Sequence, residues 1–164
     1  MRRSAGILLY RVVDDGAEGR IEVLLGHMGG PFWARKDAGA WTIPKGEHGP
    51  DEDPLTAARR EFAEEIGVPV PAPEFVDLGE VRQSGGKVVR AWAARLSDEA
   101  DFDASTAVSN TFEMEWPPRS GRTQVFPELD RVRWFDLETA RSKIIVAQRE
   151  LLDRLSVVAT LTLL

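Results

Sequence analysis

RREFAEEIGV, residues 59–68, crowds three glutamates, Glu61, Glu64 and Glu65, into five positions. Asp53 is a good helix N-cap, Pro54 suits a first turn, and Gly67 followed by Pro69 is a natural stop, so the sequence predicts a helix over 54–66. On a wheel of about 100° per residue, Leu55, Ala58, Phe62 and Ile66 share an arc of roughly 80°. The three glutamates share another arc of roughly 100°, centred about 110° from the first. They therefore lie beside the buried stripe rather than opposite it. Like charges at this spacing repel, and the helix dipole disfavours acids near its C-terminus. A solvated acidic face and a hard-cation site both fit the residues alone. A carboxylate cluster at the rim of a core suits Mg²⁺, which takes oxygen ligands.

Outward from the helix, the chain of 164 residues has the length of one domain, 1–164, with a proper core. The net charge of −6 argues against a nucleic-acid footprint, which needs a basic face. A small anionic substrate remains compatible, because a metal ion or an arginine cluster reverses the sign locally. With no cysteine, disulfides, zinc–thiolate sites and thiol nucleophiles are excluded. The N-terminal apolar run is too short for a signal peptide, and the apolar tail Val157 to Leu164 is about half a membrane span. The expectation is a cytoplasmic protein without membrane contact, its tail packed on the same chain or on a second copy in a homodimer.

The rest of the chain alternates strand and turn chemistry. Residues 5–13 and 20–28 flank DDGAEG as a hairpin, and 75–83 and 87–96 flank SGG as another. Residues 29–54 are dense in Gly, Pro and Asp and read as loop, with a short strand at 41–43. TFEMEW (111–116) alternates like a strand, PPRSGRTQVFPELD (117–130) reads as a long loop, and 131–137 as a strand. Residues 138–155 carry helical spacing at Ile144, Ile145, Ala147, Gln148, Leu151, Leu152 and Leu155. The sum is a mixed sheet with two helices, α/β or α+β in class.

The wider spacing around the acidic helix is G-x5-E-x7-R-E-U-x-E-E-x-G-U, with U bulky and apolar: Gly46, Glu52, Arg60, Glu61, Glu64, Glu65 and Gly67, with Phe62 and Val68 as the apolar positions. This resembles the complete signature of the Nudix hydrolase family, and AWTIPKG (40–46) and VRWFDLETA (132–140) are similar to that family's flanking text. The resemblance implies an α/β/α sandwich with a mixed sheet, and hydrolysis of a pyrophosphate linkage in a nucleoside diphosphate joined to another group. It implies Mg²⁺ or Mn²⁺ held by Glu61, Glu65, Glu64 and the backbone carbonyl of Lys45, with Glu52 and Arg60 paired as structure and Gly46 and Gly67 permitting turns. Glu64 is one candidate for the general base; Glu113 and Glu115, alternating on a strand, are others. Lys45, Arg119 and Arg122 are candidates for phosphate contact, and Trp33, Trp41, Trp92 and Trp116 for base stacking or packing.

The PKG run is similar to that of dinucleoside-polyphosphate hydrolases. The tyrosine that such members often carry past the signature is absent, since Tyr10 is the only tyrosine. Gln83 stands where ADP-ribose-type members often carry proline. The leaving group therefore stays open, with nucleoside and dinucleoside polyphosphates favoured. A catalytically silent nucleotide sensor is the alternative, although such proteins usually lose a signature acid and this one keeps them all. His27 and His48 read as unimportant.

Overall fold

Residues Ala5, Ile7 and Leu9 alternate with Leu8 and Tyr10 in one unbroken apolar run, because both faces of their strand are covered. The computed structural model describes residues 2–14 and 19–163. In it this run is β1 (Arg3–Asp14), which lies centrally in a seven-stranded mixed sheet. It pairs antiparallel with β2 (Gly19–Met28), as the predicted hairpin requires; the turn itself lies outside the described residues. On its other side β1 runs parallel to β6 (Val88–Arg95), which pairs antiparallel with β5 (Val76–Arg82).

Beyond Val23, β2 leaves β1 and takes a new partner, β3 (Trp41–Thr42), while β1 takes β4 (Lys45–Glu47). The segment that carries Lys45 and Gly46 is thus fixed within the sheet rather than free in a loop. Gly6 permits this close approach: a Cβ there would stand 2.7 Å from the Pro44 carbonyl oxygen. The opposite edge of β2 pairs with β9 (Leu129–Asp136).

Helices cover both faces, as the resemblance implied. Helix α1 (Pro54–Ile66) has the predicted bounds; Asp53 accepts from the Thr56 N–H, and Gly67 closes the helix in the left-handed region. It buries Ala57, Ala58, Phe62 and Ile66 against Ala5, Ile7, Leu9 and Leu24. Burial of Phe62 and Ile66 contributes roughly 1.5–3 kcal/mol each. The other face is covered by α2 (Leu137–Lys143) and α3 (Arg149–Leu163). No helix among the described residues is long and apolar enough to cross a membrane.

The single helix expected over 138–155 is corrected to two, so that three α-helices stand among the described residues. The chain breaks at Ile144, which turns extended and bridges to Trp41, and the Ile145 N–H donates to the Trp41 carbonyl. Gln148 then plugs the junction. Its amide accepts from the Ile43 N–H at 3.1 Å and donates to Thr42 Oγ1 and Gln83 Oε1. Leu151, Leu152 and Leu155 keep the predicted inward face. Of the apolar tail, Ala159 is buried on the same chain while Val157 is exposed; side chains from 160 onward lie outside the described residues.

The loop expected over 117–130 is also corrected. Its second half forms β8 (Thr123–Pro127), paired with β7 (Thr111–Glu115) in a separate two-stranded ribbon.

Candidate active site

Helix α1 presents its acids as the wheel predicts. Glu61 and Glu65 are buried beside Phe62 and Ile66, while Glu64 stays exposed one step round the helix. The loop before the helix is tied to it by Arg60. Its guanidinium donates through Nε to Glu52 Oε2 at 2.9 Å and through Nη2 to Oε1 at 2.8 Å. Its third nitrogen reaches Glu61 Oε1 at 2.8 Å and Glu64 Oε1 at 3.2 Å. Arg60 is thus the hub of the signature acids, and its own pKa is pushed up, first by the Glu52 hydrogen bond.

Gly46 faces the Glu61 carboxyl. A Cβ at Gly46 would stand 2.0 Å from Glu61 Cδ and Oε2, so only glycine leaves room for that carboxylate. Glu65 turns the other way and accepts from the Lys45 backbone N–H at 3.3 Å. Burial pushes Glu65 up to about 8, against the attraction of Lys45. Burial likewise raises Glu61 and lowers Lys45.

These groups line a cleft of about 470 Å³ together with Glu47, Lys87, Asn110 and Glu128. Glu128, Asn110 and Lys87 are among the lining residues that escaped the sequence reading. Glu128 sits just before β9 and is raised by burial. Asn110 precedes β7, and its N–H caps the Glu64 carbonyl at 2.9 Å. Lys87 follows the SGG turn, close enough to Lys45 to depress its pKa further. No local pattern marks these three; the sheet brings them to α1.

The remaining candidates lie elsewhere. Glu113 and Glu115 are exposed on the ribbon and are not among the cleft-lining residues; Glu115 accepts from the Gly121 N–H. Arg119 and Arg122 are exposed beyond β7 in the turn of the ribbon. Trp41 and Trp92 are core residues, while Trp33 and Trp116 are partly exposed. His48 is a loop residue. His27 is fully buried, and its ring joins Asp130 Oδ1 at 2.8 Å to the Lys36 carbonyl at 2.6 Å. It is therefore a structural tie between β9 and the loop after β2.

Among the described residues, no three acidic or histidine side chains are gathered to hold an ion as they stand. Arg60 draws Glu61 and Glu64 to itself, and Glu65 faces Lys45. The chemistry of the donors nevertheless fits a hard divalent cation. They are oxygens, and two are buried carboxylates that desolvation disfavours unless a cation joins them.

The family model described as NUDIX domain matches residues 2–155. The chain belongs to the Nudix family. It is a pyrophosphohydrolase by class. A Caenorhabditis elegans Ap4A hydrolase, solved as a binary complex, is similar at 24% identity, with 98% of each chain covered and a TM-score of 0.65. A mutT/nudix family protein from Listeria innocua has 15% identity, 99% and 96% coverage and a TM-score of 0.62. The NUDIX domain of Shewanella oneidensis NrtR, solved with ADP ribose, has 18% identity, 94% and 85% coverage and a TM-score of 0.59. These likenesses show the Nudix fold. No curated protein matches the chain significantly.

Proposed function

We propose that the cleft hydrolyses a phosphoanhydride of a nucleoside or dinucleoside polyphosphate with the help of Mg²⁺ or Mn²⁺. The observation that carries this reading is the buried Glu61–Glu65 pair, held on one helix face at the rim of a cleft whose wall also bears Lys45 and Lys87. Two buried carboxylates invite a divalent cation, and two lysines beside them invite phosphate.

Glu61, Glu64, Glu65 and the Lys45 carbonyl would hold the ion, with Glu61 and Glu64 exchanging Arg60 for it. A divalent ion there supplies charge neutralisation of the phosphates and acidification of the attacking water. The protein supplies the rest. Lys45 and Lys87 orient the phosphate chain, and the Gly46–Glu61 contact fixes the carboxylate wall. Water attacks phosphorus in line, the bridging P–O bond breaks, and its electron pair leaves with the departing phosphate. Glu128, which lines the cleft outside that ligand set, or Glu64 where it is not engaged by the ion, would take the water's proton.

The test is release of phosphate or pyrophosphate from nucleoside polyphosphates, dinucleoside polyphosphates and nucleotide sugars, with Mg²⁺ or Mn²⁺ and with chelator. Metal-dependent turnover of at least one polyphosphate is expected. Tight binding with no turnover of any compound would instead make the protein a sensor.

A further inference from the structure

A second cavity, of about 380 Å³, opens at the other end of β1. Ser4, near the start of that strand, lines the catalytic cleft, whereas Tyr10 lines this cavity, and the two share no lining residue. Sheet register builds its floor. Tyr10 stands beside Arg95 of β6 in parallel register, and Ala93 stands beside Val76 of β5. Neighbouring strands lie about 4.8 Å apart, so these side chains share one short stretch of sheet. Tyr10 and Ala93 belong to the face that α3 covers, opposite α1 and its glutamates.

Two polar groups in the cavity lack partners. Tyr10 is only 6% exposed, yet its hydroxyl makes no hydrogen bond among the described residues. A buried phenol ordinarily finds a partner. Among the described residues no side-chain oxygen or nitrogen shut away from solvent is left unpartnered, so the Tyr10 hydroxyl is the part of the ring that reaches the cavity. Burial raises its pKa against the attraction of Arg95, which keeps it a donor. The half-buried Arg95 side chain is in no ion pair among the described residues, although Glu74 and Asp98 line the same cavity.

The cavity thus sets one cation and one neutral donor over an apolar floor of Val76, Ala93 and Leu96. A guanidinium matches a carboxylate in shape and charge. With Glu74 and Asp98 close by, a single arginine balances one negative charge, and the dense charge of a polyphosphate is repelled. Val76 is 44% exposed and offers an apolar body a place to lie.

We propose that this cavity binds a small monocarboxylate with an apolar body, at a site separate from the catalytic cleft. Arg95 pairs with the carboxylate, the Tyr10 hydroxyl donates to it, and the apolar body covers Val76, Ala93 and Leu96. The site stands whether or not the cleft hydrolyses a phosphoanhydride, since it shares no residue with it.

Hexanoate is the probe, with hexanol and inorganic phosphate beside it, each titrated into the isotope-labelled full chain and followed by amide chemical shifts. Hexanoate should move the amides of Tyr10, Ala93, Arg95 and Leu96 to a plateau and leave those of Glu61 and Glu65 in place. Hexanol, which lacks the charge, and phosphate, which lacks the apolar body, should each bind at least about tenfold more weakly. Arg95→Met keeps an apolar stem but should raise the hexanoate Kd at least about tenfold, and Tyr10→Phe keeps the ring but should raise it about threefold or more. Amide spectra unchanged away from the cavity establish that a variant is folded, and if Arg95→Met is not, Tyr10→Phe decides. Shifts that never reach a plateau, equal affinity for the three probes, or a hexanoate Kd that the deciding variant leaves unmoved would overturn the site.

Discussion

Gly46 and the Glu61 carboxyl occupy one another's space: a Cβ on the glycine would stand 2.0 Å from the carboxyl carbon. Gly46→Ala must therefore push aside a buried side chain that Arg60 also holds. The expected result is a loss of metal affinity and turnover of roughly 10–100-fold, as for other groups that orient metal ligands, with the fold kept. Calorimetric titration of Mg²⁺ beside a circular dichroism spectrum checks it.

Arg60 joins loop to helix through a fork that a lysine cannot reproduce. Arg60→Lys keeps the charge but loses the parallel pair to Glu52 and the shared nitrogen to Glu61 and Glu64. Turnover should fall by roughly tenfold, since misplaced ligands cost more than lost charge. Turnover equal to wild type would show that the bidentate geometry is dispensable.

The raised Glu65 gives stability a pH signature in the metal-free protein. A carboxyl whose folded pKa lies above its unfolded value of about 4.3 contributes stability that is complete below that value. The contribution is lost as pH rises toward and through about 8, the folded value. Thermal melts in EDTA should therefore fall in Tm between about pH 5 and 8, and Glu65→Gln should flatten that slope. Metal binding has the opposite sign: the ion displaces the proton, so affinity should climb over the same window. Titrations in two buffers of different ionisation enthalpy count the proton released.

The acidic helix was legible because its signals are local. Asp53, Pro54 and Gly67 set its ends, and the spacing from Gly46 to Val68 set its acids, all within one continuous segment. Glu128, Asn110 and Lys87 were not legible, since each reaches the cleft only through sheet pairing. The break at Ile144 was hidden for the same reason, because the bridge to Trp41 overrides a sound helical spacing. The strand β8 was masked by flanking Pro, Arg and Gly. As one half of a two-stranded ribbon it is exposed at Thr123, Gln124 and Val125 and buries no continuous apolar run.

His27 tests how far the structure corrects the sequence. Its ring is fully buried and bonded on both nitrogens, to Asp130 and to the Lys36 carbonyl, with Trp41 edge-on at 5.2 Å. His27→Ala leaves a cavity and unpairs those partners. A destabilisation of roughly 2–4 kcal/mol is expected from urea unfolding. A change below about 0.5 kcal/mol, typical of a surface site, would contradict the tie between β9 and the loop.

On the proposed function, Glu65 and its neighbours hold the ion through which a phosphoanhydride is opened. Phosphate release from diadenosine tetraphosphate or a nucleoside triphosphate, coupled to phosphatase and followed with Mg²⁺, tests it on wild type and Glu65→Gln side by side. Wild-type turnover that chelation abolishes and that Glu65→Gln lowers at least about tenfold is the expected result. Turnover that survives both chelation and the substitution would contradict it.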